Sequence, residues 1–390
     1  MNTGDHIYVD LNAFNSSLTN KNQTLLLAER RNGAFLYDAS QYYLTVSRFY
    51  LENPKFPVII PVVDLNAADT DTLIYKVYME YFSHGQVKVK EQSLIFVADD
   101  RTQTKPATVS VSDLTYNKYY WLYNYESFIE IFNTALKSCF AKVVQDNNNI
   151  VDASGNLIAV ASSSLQADIS VAISSFTSHE FVLTARSDCF DDSSVSTALS
   201  NNYKKIRVYF NAPLRVLFAG FRTIKTSLLS QDAYRLRLFN FVDNFTKSST
   251  ADPRAFISMI TDVSSTNTWN PVQSIVFTSG VIPVAQSLIG ANQVFNPPIG
   301  FQDSGSNSNV SPIITDLQLA FEPNNQYRPY IYYAPSGAYR LIDMTSNSNL
   351  SDISVEVFWR DRYGGLHPFE LQPFCSVSLK LLFRHKSLGV

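Results

Sequence analysis

The feature that most limits the folds open to this chain is an alternation of apolar and polar residues with a period of two. In TLIYKVYMEYF, residues 72–82, Leu73, Tyr75 and Val77 fall on one face and Lys76 falls on the other. Successive side chains of a β-strand point to opposite faces of its sheet, so this spacing predicts a half-buried strand. Strand-like segments recur at residues 41–51, 57–63, 91–99, 179–187, 204–221, 233–241, 271–286, 314–323, 328–335, 338–344 and 353–386. The sequence therefore predicts a mainly β protein with about fifteen short strands.

One segment, residues 124–144, has the spacing of a helix instead. Its apolar residues, Phe128 and Phe132 among them, recur at intervals of three and four, which is typical of one buried helix face. Asn124 or Ser127 is predicted to cap the start of this helix, because a short polar side chain accepts a hydrogen bond from the first free amides. The sequence predicts one prominent helix in an otherwise β-rich chain.

Many short strands, one helix and several turn-rich connections predict a jelly-roll β-sandwich, built from one jelly roll or two. Residues 289–312 are rich in Gly, Pro, Ser and Asn, a composition that predicts a flexible loop.

Composition limits the partners that the chain is expected to bind. The net charge is −3, and charged residues make up 17% of the chain. Strong sequence-independent binding of nucleic acid needs a dense basic field that displaces counterions, so we expect no strong direct nucleic-acid binding. A surface of Ser, Asn, Thr and Tyr suits a protein covered by neighbours, because burying charge costs more than burying a hydrogen-bonded hydroxyl or amide.

No segment approaches the ~18 consecutive apolar residues of a membrane-spanning helix, so we expect no membrane span. The N-terminal residues MNTGDHIYVDLN lack the pattern of a signal peptide. We therefore expect a soluble protein that is made and used in a cytosol-like compartment.

The C-terminal segment, residues 353–386, holds Asp361, His367, Glu370 and Cys375, which are residue types found in catalytic sites. A Cys–His pair needs hydrogen-bond contact and a third group that orients the base. Neither an oxyanion-hole turn nor a helix N-terminus that would lower the thiol pKa is apparent nearby. Alternating residues on both sides of a Gly-Gly pair indicate a hairpin. We therefore predict a structural hairpin and no catalytic residues.

No metal or cofactor site is predicted either. Cys139, Cys189 and Cys375 are far apart in the sequence, which argues against a disulfide framework or a zinc site and favours buried thiols. Paired carboxylates occur at residues 99–103 and 188–192, but both pairs follow strand-like segments and are predicted to lie in solvated turns. The sequence has none of the common phosphate-binding or hydrolase motifs.

The C-terminal pattern, with FWRDRYGGLHPFEL followed by SVSLKLLFRHK, resembles the end of jelly-roll capsid proteins from small double-stranded DNA viruses of eukaryotes. Within the virophage and polinton-like group it most resembles the penton, or minor capsid, protein. Residues 268–286 and 330–344 are similar in character to core strands of that family. The resemblance covers mainly residues 200–390. It implies a jelly-roll sandwich over residues 201–390, and it leaves residues 1–200 as a β-rich N-terminal domain or insertion that includes the helix.

The resemblance also implies a function. Five copies would form a homopentamer at each icosahedral vertex, in contact with other capsid proteins of the virion. Assembly would take place in the host cytoplasm or a viral factory. Because that family is structural, the resemblance implies no catalytic, cofactor-binding or metal-binding residues.

Three alternatives remain open from the sequence. The first is a double jelly-roll major capsid protein that forms trimers. The second is a carbohydrate- or receptor-binding β-sandwich whose aromatic residues stack on sugar rings, and the third is an enzyme that uses Cys375 and His367. For a capsid protein, the candidate contact residues are Trp359, Tyr363, Tyr332 and Tyr333, although core packing is the expected role of Trp359.

Overall fold

The chain folds into two compact units, which a computed structural model describes over most of their length. Unit 1 contains Met1–Phe56 and Pro271–Val390, and unit 2 contains Pro57–Asn270. The described residues are 5–17, 23–52, 55–110, 114, 116–146, 169–173, 180–186, 189–190, 205–238, 256–289, 309–318, 330–335, 340–362 and 364–388.

The secondary-structure elements of the described residues are numbered in chain order. The first twelve strands are β1 (His6–Phe14), β2 (Gln23–Thr24), β3 (Leu26–Arg30), β4 (Tyr42–Glu52), β5 (Thr72–Ser83), β6 (Gln86–Ile95), β7 (Ile169–Ile173), β8 (Phe181–Arg186), β9 (Arg207–Asn211), β10 (Thr223–Leu228), β11 (Gln231–Leu236) and β12 (Phe256–Ile260). The remaining strands are β13 (Val272–Thr278), β14 (Ser287–Ile289), β15 (Asn309–Ser311), β16 (Ile313–Gln318), β17 (Tyr330–Tyr333), β18 (Ile342–Asp343), β19 (Asp352–Asp361), β20 (Leu366–Pro368), β21 (Glu370–Leu371) and β22 (Ser376–His385). Among the described residues, α1 (Tyr125–Asp146) and α2 (Ala212–Leu217) are α-helices and Leu114 and Tyr116 are also helical. Short 3₁₀ turns lie at Ala39–Gln41, Lys118–Tyr120, Thr266–Thr268 and Lys386–Leu388.

Unit 1 is a sandwich of two sheets with the strand order of a jelly roll. One sheet has the order β1-β22-β4-β17, and the other has the order β3-β19-β13-β16, with β20 also paired to β19. Among the eight strands of these two orders, each strand lies in the other sheet from the strand before it in the chain. The exception is β16, which follows β13 in the same sheet. That is the connectivity of an eight-stranded jelly roll. The rings of Phe49 and Phe277 meet between the sheets at 4.9 Å. The predicted jelly-roll β-sandwich is confirmed.

The two units do not divide the chain at residue 200, the boundary predicted from the sequence. Strand β1 pairs with β22 from His6 opposite Arg384 to Phe14 opposite Ser376, and β3 pairs with β19. These pairings place Met1–Phe56 in the same unit as the C-terminal strands. Unit 2 is thus an insertion between β4 and β13, and it includes β9 to β12, which the sequence analysis assigned to the C-terminal jelly roll.

The predicted flexible loop at residues 289–312 falls largely on residues 290–308, which lie outside the described residues. The strands that flank it, β14 and β15, pair with each other, and Ile289 is opposite Asn309.

Unit 2 combines helix α1 with two sheets, whose orders are β10-β11-β9-β5-β6 and β12-β8-β7. Strands β5 and β6 form a hairpin within one sheet, and so do β10 and β11. In a jelly roll, by contrast, most consecutive strands lie in different sheets. Over the described part of the chain, only unit 1 has the jelly-roll connectivity. Of the two possibilities that the sequence left open, one jelly roll or two, the described residues show one.

The predicted helix is confirmed as α1. The side chain of Asn124 accepts a hydrogen bond from the amide of Glu126 at 2.7 Å, so Asn124 caps the helix, whereas Ser127 lies inside its first turn. Phe128, Phe132 and the other apolar residues at helical spacing are buried, as expected for a helix whose stability comes from packing of one face.

One predicted strand is wrong, and a second is confirmed only in part. Residues 57–63 form only isolated bridges, from Ile59 to Leu122 and from Val63 to Leu73, because the prolines in this segment cannot donate to a sheet ladder. The segment predicted as one strand over residues 204–221 turns into helix α2 after β9. The side chain of Asn211 caps α2 by accepting from the amide of Leu214 at 3.2 Å, and Pro in the first turn suits a helix start.

Trp269 lies at the centre of the aromatic core of unit 2. Its ring stacks on Phe181 with a centroid distance of 5.1 Å and meets Phe128 edge-on at 5.0 Å. The indole Nε1 donates to the carbonyl of Leu217 at 2.6 Å. The residue therefore combines a large buried apolar area with a satisfied polar group, which is the arrangement that a buried tryptophan requires.

Asp146 fixes the C-terminal end of α1 to strands β5 and β6. Its carboxylate accepts hydrogen bonds from the Tyr81 hydroxyl and from Lys88 Nζ, the latter at 3.0 Å, and Lys90 Nζ lies 3.7 Å away. The bond from Tyr81, followed by that from Lys88, lowers the pKa of Asp146 to about 2. Burial and the bond to Asp146 raise the pKa of Tyr81. These donors offset the unfavourable position of a carboxylate at the negative end of a helix.

Substitution of Trp269 tests the core of unit 2. We expect Trp269→Ala to lower the free energy of unfolding by about 3–5 kcal/mol, because it removes stacking area and leaves a cavity. Trp269→Phe should cost less, since the replacement ring still fills part of the site. Thermal and urea unfolding followed by circular dichroism would measure the loss. Val263→Ala, at an exposed position of the same unit, is the matched control. Equal stability of Trp269→Ala and this control would contradict the assignment.

The Asp146 contacts predict a pH-dependent stability. Because the folded state lowers the pKa of this carboxyl, its contribution is complete above the unfolded value of about 3.9 and is lost as the pH falls towards 2. Asp146→Asn should therefore lower the melting temperature at pH 7, and the difference from the unsubstituted protein should shrink between pH 4 and pH 2. Melting curves of both proteins over this range would measure the effect. A difference that stays constant with pH would contradict this role of the carboxylate.

Candidate functional site

The structure brings together two of the four residues that suggested a catalytic site. His367 lies on β20 opposite Trp359 of β19, and its Nε2 is 2.8 Å from Oδ2 of Asp361. Both side chains are buried, at 4% and 0% exposure. The imidazole also stacks on the Trp359 ring at a centroid distance of 4.1 Å. The pair is thus closed to solvent by the hairpin that carries it.

The same carboxylate closes the turn of the hairpin. The amide of Gly365 donates to Oδ1 of Asp361 at 2.9 Å, and the backbone amide of Asp361 donates to the carbonyl of Gly365 at 2.9 Å. Gly364 adopts a φ of 84°, a conformation that favours glycine. Both oxygens of Asp361 are therefore used to hold the hairpin, as a buried carboxylate requires.

The other two residues lie in different parts of the fold. Glu370 is on β21, opposite Thr24 of β2. Cys375 precedes β22, and its thiol contacts the carbonyl of Pro373 at 3.6 Å. The Asp–His pair is therefore part of the hairpin core, and the hypothesis of an enzyme that uses Cys375 with His367 has no supporting contact in this arrangement.

The other candidate polar groups also have structural surroundings. Asp100 accepts from the amide and hydroxyl of Thr102 at 3.0 and 2.6 Å, and Asp99 accepts from the amide of Tyr123 at 2.8 Å. Both carboxylates are exposed, so the predicted solvated turn at residues 99–103 is confirmed. Of residues 188–192, only 189 and 190 are described.

The three cysteines are buried free thiols, as predicted. Burial raises the pKa of the Cys139 thiol to about 12. Within the described ranges, no group of three or more His, Cys, Asp or Glu side chains is arranged to hold a metal ion. The helices of the described residues include none that is long and apolar enough to cross a membrane.

An exposed aromatic surface of unit 1 is the outer face of the sheet β1-β22-β4-β17. Along β1, Val9 and Leu11 point inward and are buried, whereas Tyr8 and Phe14 point outward and are exposed. Residues directly opposite each other on neighbouring strands point to the same side of a sheet. Ser378 is opposite Tyr50 and Tyr50 is opposite Tyr332, so these side chains also point outward. We call this surface the tyrosine face; its aromatic residues are Tyr8, Phe14, Tyr50, Tyr330 and Tyr332.

A charged row crosses the middle of the tyrosine face. Asp10 on β1 lies between Arg48 Nη2, at 3.3 Å, and Lys380 Nζ, at 3.4 Å. Lys380 Nζ is also 5.6 Å from the centre of the Tyr8 ring. These side chains are partly exposed, so the ion pairs contribute little to folding. The remaining outward positions on β1 and β22 include Asn12, Ser376 and Ser378. Exposed tyrosines together with an arginine are typical of protein–protein interfaces.

An exposed phenylalanine lies in the turn that precedes β22. Phe374 has a φ of 61° and is 59% exposed. Its amide donates to the carbonyl of Asn15 at 2.7 Å, and the amide of Asn15 donates to the carbonyl of Cys375 at 3.1 Å. A left-handed conformation at a bulky residue is strained and persists only where the surroundings hold it. The turn thus holds Phe374 in an exposed position.

The predicted contact residues occupy different environments. Tyr332 is 61% exposed on the tyrosine face. Tyr333 is opposite the buried Phe49 and points to the other side of the sheet. Trp359 is buried, so its expected role in core packing is confirmed, and Tyr363 lies outside the described residues. Tyr8 and Phe14 are not among the contact residues predicted from the sequence; the alternation in HIYVDLNAF is the signal that places them on one face.

The hairpin geometry predicts a strong effect of a single methyl group. In Gly365→Ala, the new Cβ would lie 2.8 Å from Oδ2 of Asp361, and this carboxylate cannot move without losing its contacts to His367 and to the turn. We expect a loss of about 1–3 kcal/mol in stability, as for other overpacked sites. Gly33→Ala is the matched control, because nothing lies within 4 Å of its new Cβ. Thermal unfolding of both variants would measure the effect; equal melting temperatures would contradict the proposed packing.

Comparison with known proteins places these features in a family. A family model described as "Sputnik minor capsid protein V18/19" matches residues 7–385. Structural protein V19 of Sputnik virophage is 26% identical over 137 residues, which span 35% of this chain and 59% of that protein. The match therefore covers less than two thirds of this relative.

Two solved structures share the fold. A chain in the cryo-EM structure of the Sputnik virophage is similar with a TM-score of 0.77 and 21% identity, over 99% of both chains. The mavirus penton protein is similar with a TM-score of 0.62 and 14% identity, over 98% of this chain and 99% of that protein. The family model covers nearly the whole sequence, including both sheets of the jelly roll. The chain therefore belongs to the Sputnik minor capsid protein V18/19 family, and it is a structural capsid protein.

Proposed function

We propose that this minor capsid protein is the penton, which forms a homopentamer at each five-fold vertex of an icosahedral capsid. The observation that carries the proposal is the likeness to the mavirus penton protein over 98% of this chain, which includes both the jelly roll and the inserted unit. A vertex role agrees with the low content of charged residues, 17%, because a subunit enclosed by neighbours loses the hydration of its surface charges.

The remaining parts of the proposal concern partners and place. The pentamer contacts other capsid proteins of the virion, and assembly takes place in the host cytoplasm or a viral factory. The net charge of −3 supports a role without strong direct binding of nucleic acid. The protein has no catalytic role in this proposal, since Asp361 and His367 stabilise a hairpin.

The double jelly-roll alternative receives less support. A major capsid tile of that kind requires a second jelly roll, and the described strands of unit 2 form sheets that contain hairpins. The same length of chain is used here for an insertion around α1.

The mass of the purified protein in solution tests the proposal. Light scattering after size-exclusion chromatography should give about five times the chain mass of 43.9 kDa. Pentamers are expected because a ring of identical subunits is the closed assembly that matches a five-fold axis. A particle of three chains would favour the major-capsid alternative, and a protein that stays monomeric at high concentration would contradict the proposed pentamer.

A further inference from the structure

Unit 1 exposes a second surface, on the opposite side of the sandwich from the tyrosine face. It is formed by the outward side chains of β3 and of the half of β19 that pairs with it. Leu26 is 51% exposed, and Glu356, directly opposite it in the register, is also exposed. We call this surface the acidic strip; it consists of Leu26, Ala28, Arg30, Asp352, Ser354 and Glu356.

The two surfaces carry opposite excess charge. The outward charged residues of the tyrosine face are Arg48, Lys380, Arg384, Asp10 and Glu52. At its edge, Asp343 of β18 is opposite Tyr43 and pairs with Lys386 at 2.9 Å, so the face has an excess of one positive charge. On the acidic strip, Arg30 lies 3.5 Å from Asp352, and Glu356 adds a further carboxylate. That surface has an excess of one negative charge. Complementary charge on two faces of one molecule favours their contact across copies and disfavours contact of either face with itself.

The aromatic composition of the tyrosine face supports the same contact. Tyr332, Tyr8 and Phe14 are all more than half exposed, and such residues contribute most of the binding energy where they are buried at protein interfaces. The charged row beside them is already paired within the face through Asp10, so covering it buries few unpaired charges.

We propose that the tyrosine face of one copy packs on the acidic strip of a second copy, and that this contact forms the ring. The inference rests on the proposed pentamer. A contact between two different surfaces of identical chains is heterologous, so each added copy presents a free tyrosine face or a free acidic strip until the ring closes. Both surfaces belong to the same sandwich. The jelly roll by itself therefore sets how each copy is oriented relative to the next copy in the ring.

Variants of each surface test the proposal. The tyrosine-face variant carries Tyr8→Ser and Tyr332→Ser, and the strip variant carries Leu26→Ser and Glu356→Lys. The matched control is Tyr37→Ser, because Tyr37 is 50% exposed in unit 1 but lies outside both surfaces. Light scattering should give the mass of one chain for each surface variant and the mass of five chains for the control. Circular dichroism and melting temperature verify folding, and the single exposed changes Tyr332→Ser and Glu356→Lys replace any double variant that unfolds.

Mixing the two surface variants distinguishes a heterologous contact from other arrangements. The tyrosine-face variant retains an intact strip and the strip variant retains an intact tyrosine face, so an equimolar mixture can form one contact. We expect a particle of two chains, one of each variant, that does not grow further. Dimers of the strip variant alone would show that the tyrosine face binds itself, and they would overturn the proposal.

The outcomes separate this inference from the proposed function. An unsubstituted protein that does not form pentamers contradicts the proposed function. Pentamers of the unsubstituted protein together with unchanged pentamers of either surface variant leave the penton role intact and overturn the assignment of the two surfaces.

Discussion

The pairing of β1 with β22 is the interaction on which the rest of the fold depends. Its register runs from His6 opposite Arg384 to Phe14 opposite Ser376, so residues from the two ends of the sequence form one ladder. Without this ladder the sheet β1-β22-β4-β17 would lose its first strand, and Val9 and Leu11 would leave the core. The further pairing of β4 with β22 makes residues 57–270 an insertion. The register of β1 places Tyr8, Asp10 and Phe14 on the outer face beside residues of β22.

The buried Asp361–His367 pair shows how residue types found in catalytic sites can hold a hairpin together. Carboxylate and imidazole lie within 2.8 Å of each other, as they do in many active sites, but the surroundings differ. Trp359 covers the imidazole ring, and the turn amide of Gly365 occupies the second carboxylate oxygen. Polar groups in such an enclosed position hold one hairpin conformation, because leaving any of them unpaired is costly. Membership of a capsid protein family agrees with this structural use.

Much of the fold could be predicted from local pattern. Alternation predicted β4, β5, β8 and β19, and the helical spacing of Phe128 and Phe132 predicted α1. The errors have local causes that the pattern does not record, since proline prevents a ladder at residues 57–63 and a capping Asn211 converts part of a predicted strand into α2. Strand β1 was missed because its apolar face contains only two strongly buried residues, Val9 and Leu11, which is too short a pattern to stand out.

The sequence by itself determined the class of fold, the long helix α1, the buried free cysteines and the resemblance to penton-type capsid proteins. Each of these depends on spacing within one short segment or on composition, and both can be read along the chain. Only the tertiary structure decided that the N-terminal strands join the C-terminal sandwich and that unit 2 is inserted. It also decided which aromatic residues share an exposed face and that Asp361 is enclosed with His367. Those features depend on contacts between residues far apart in the chain. The alternation of residues assigns a side chain to one of the two faces of a strand, but it does not show whether other parts of the protein cover that face.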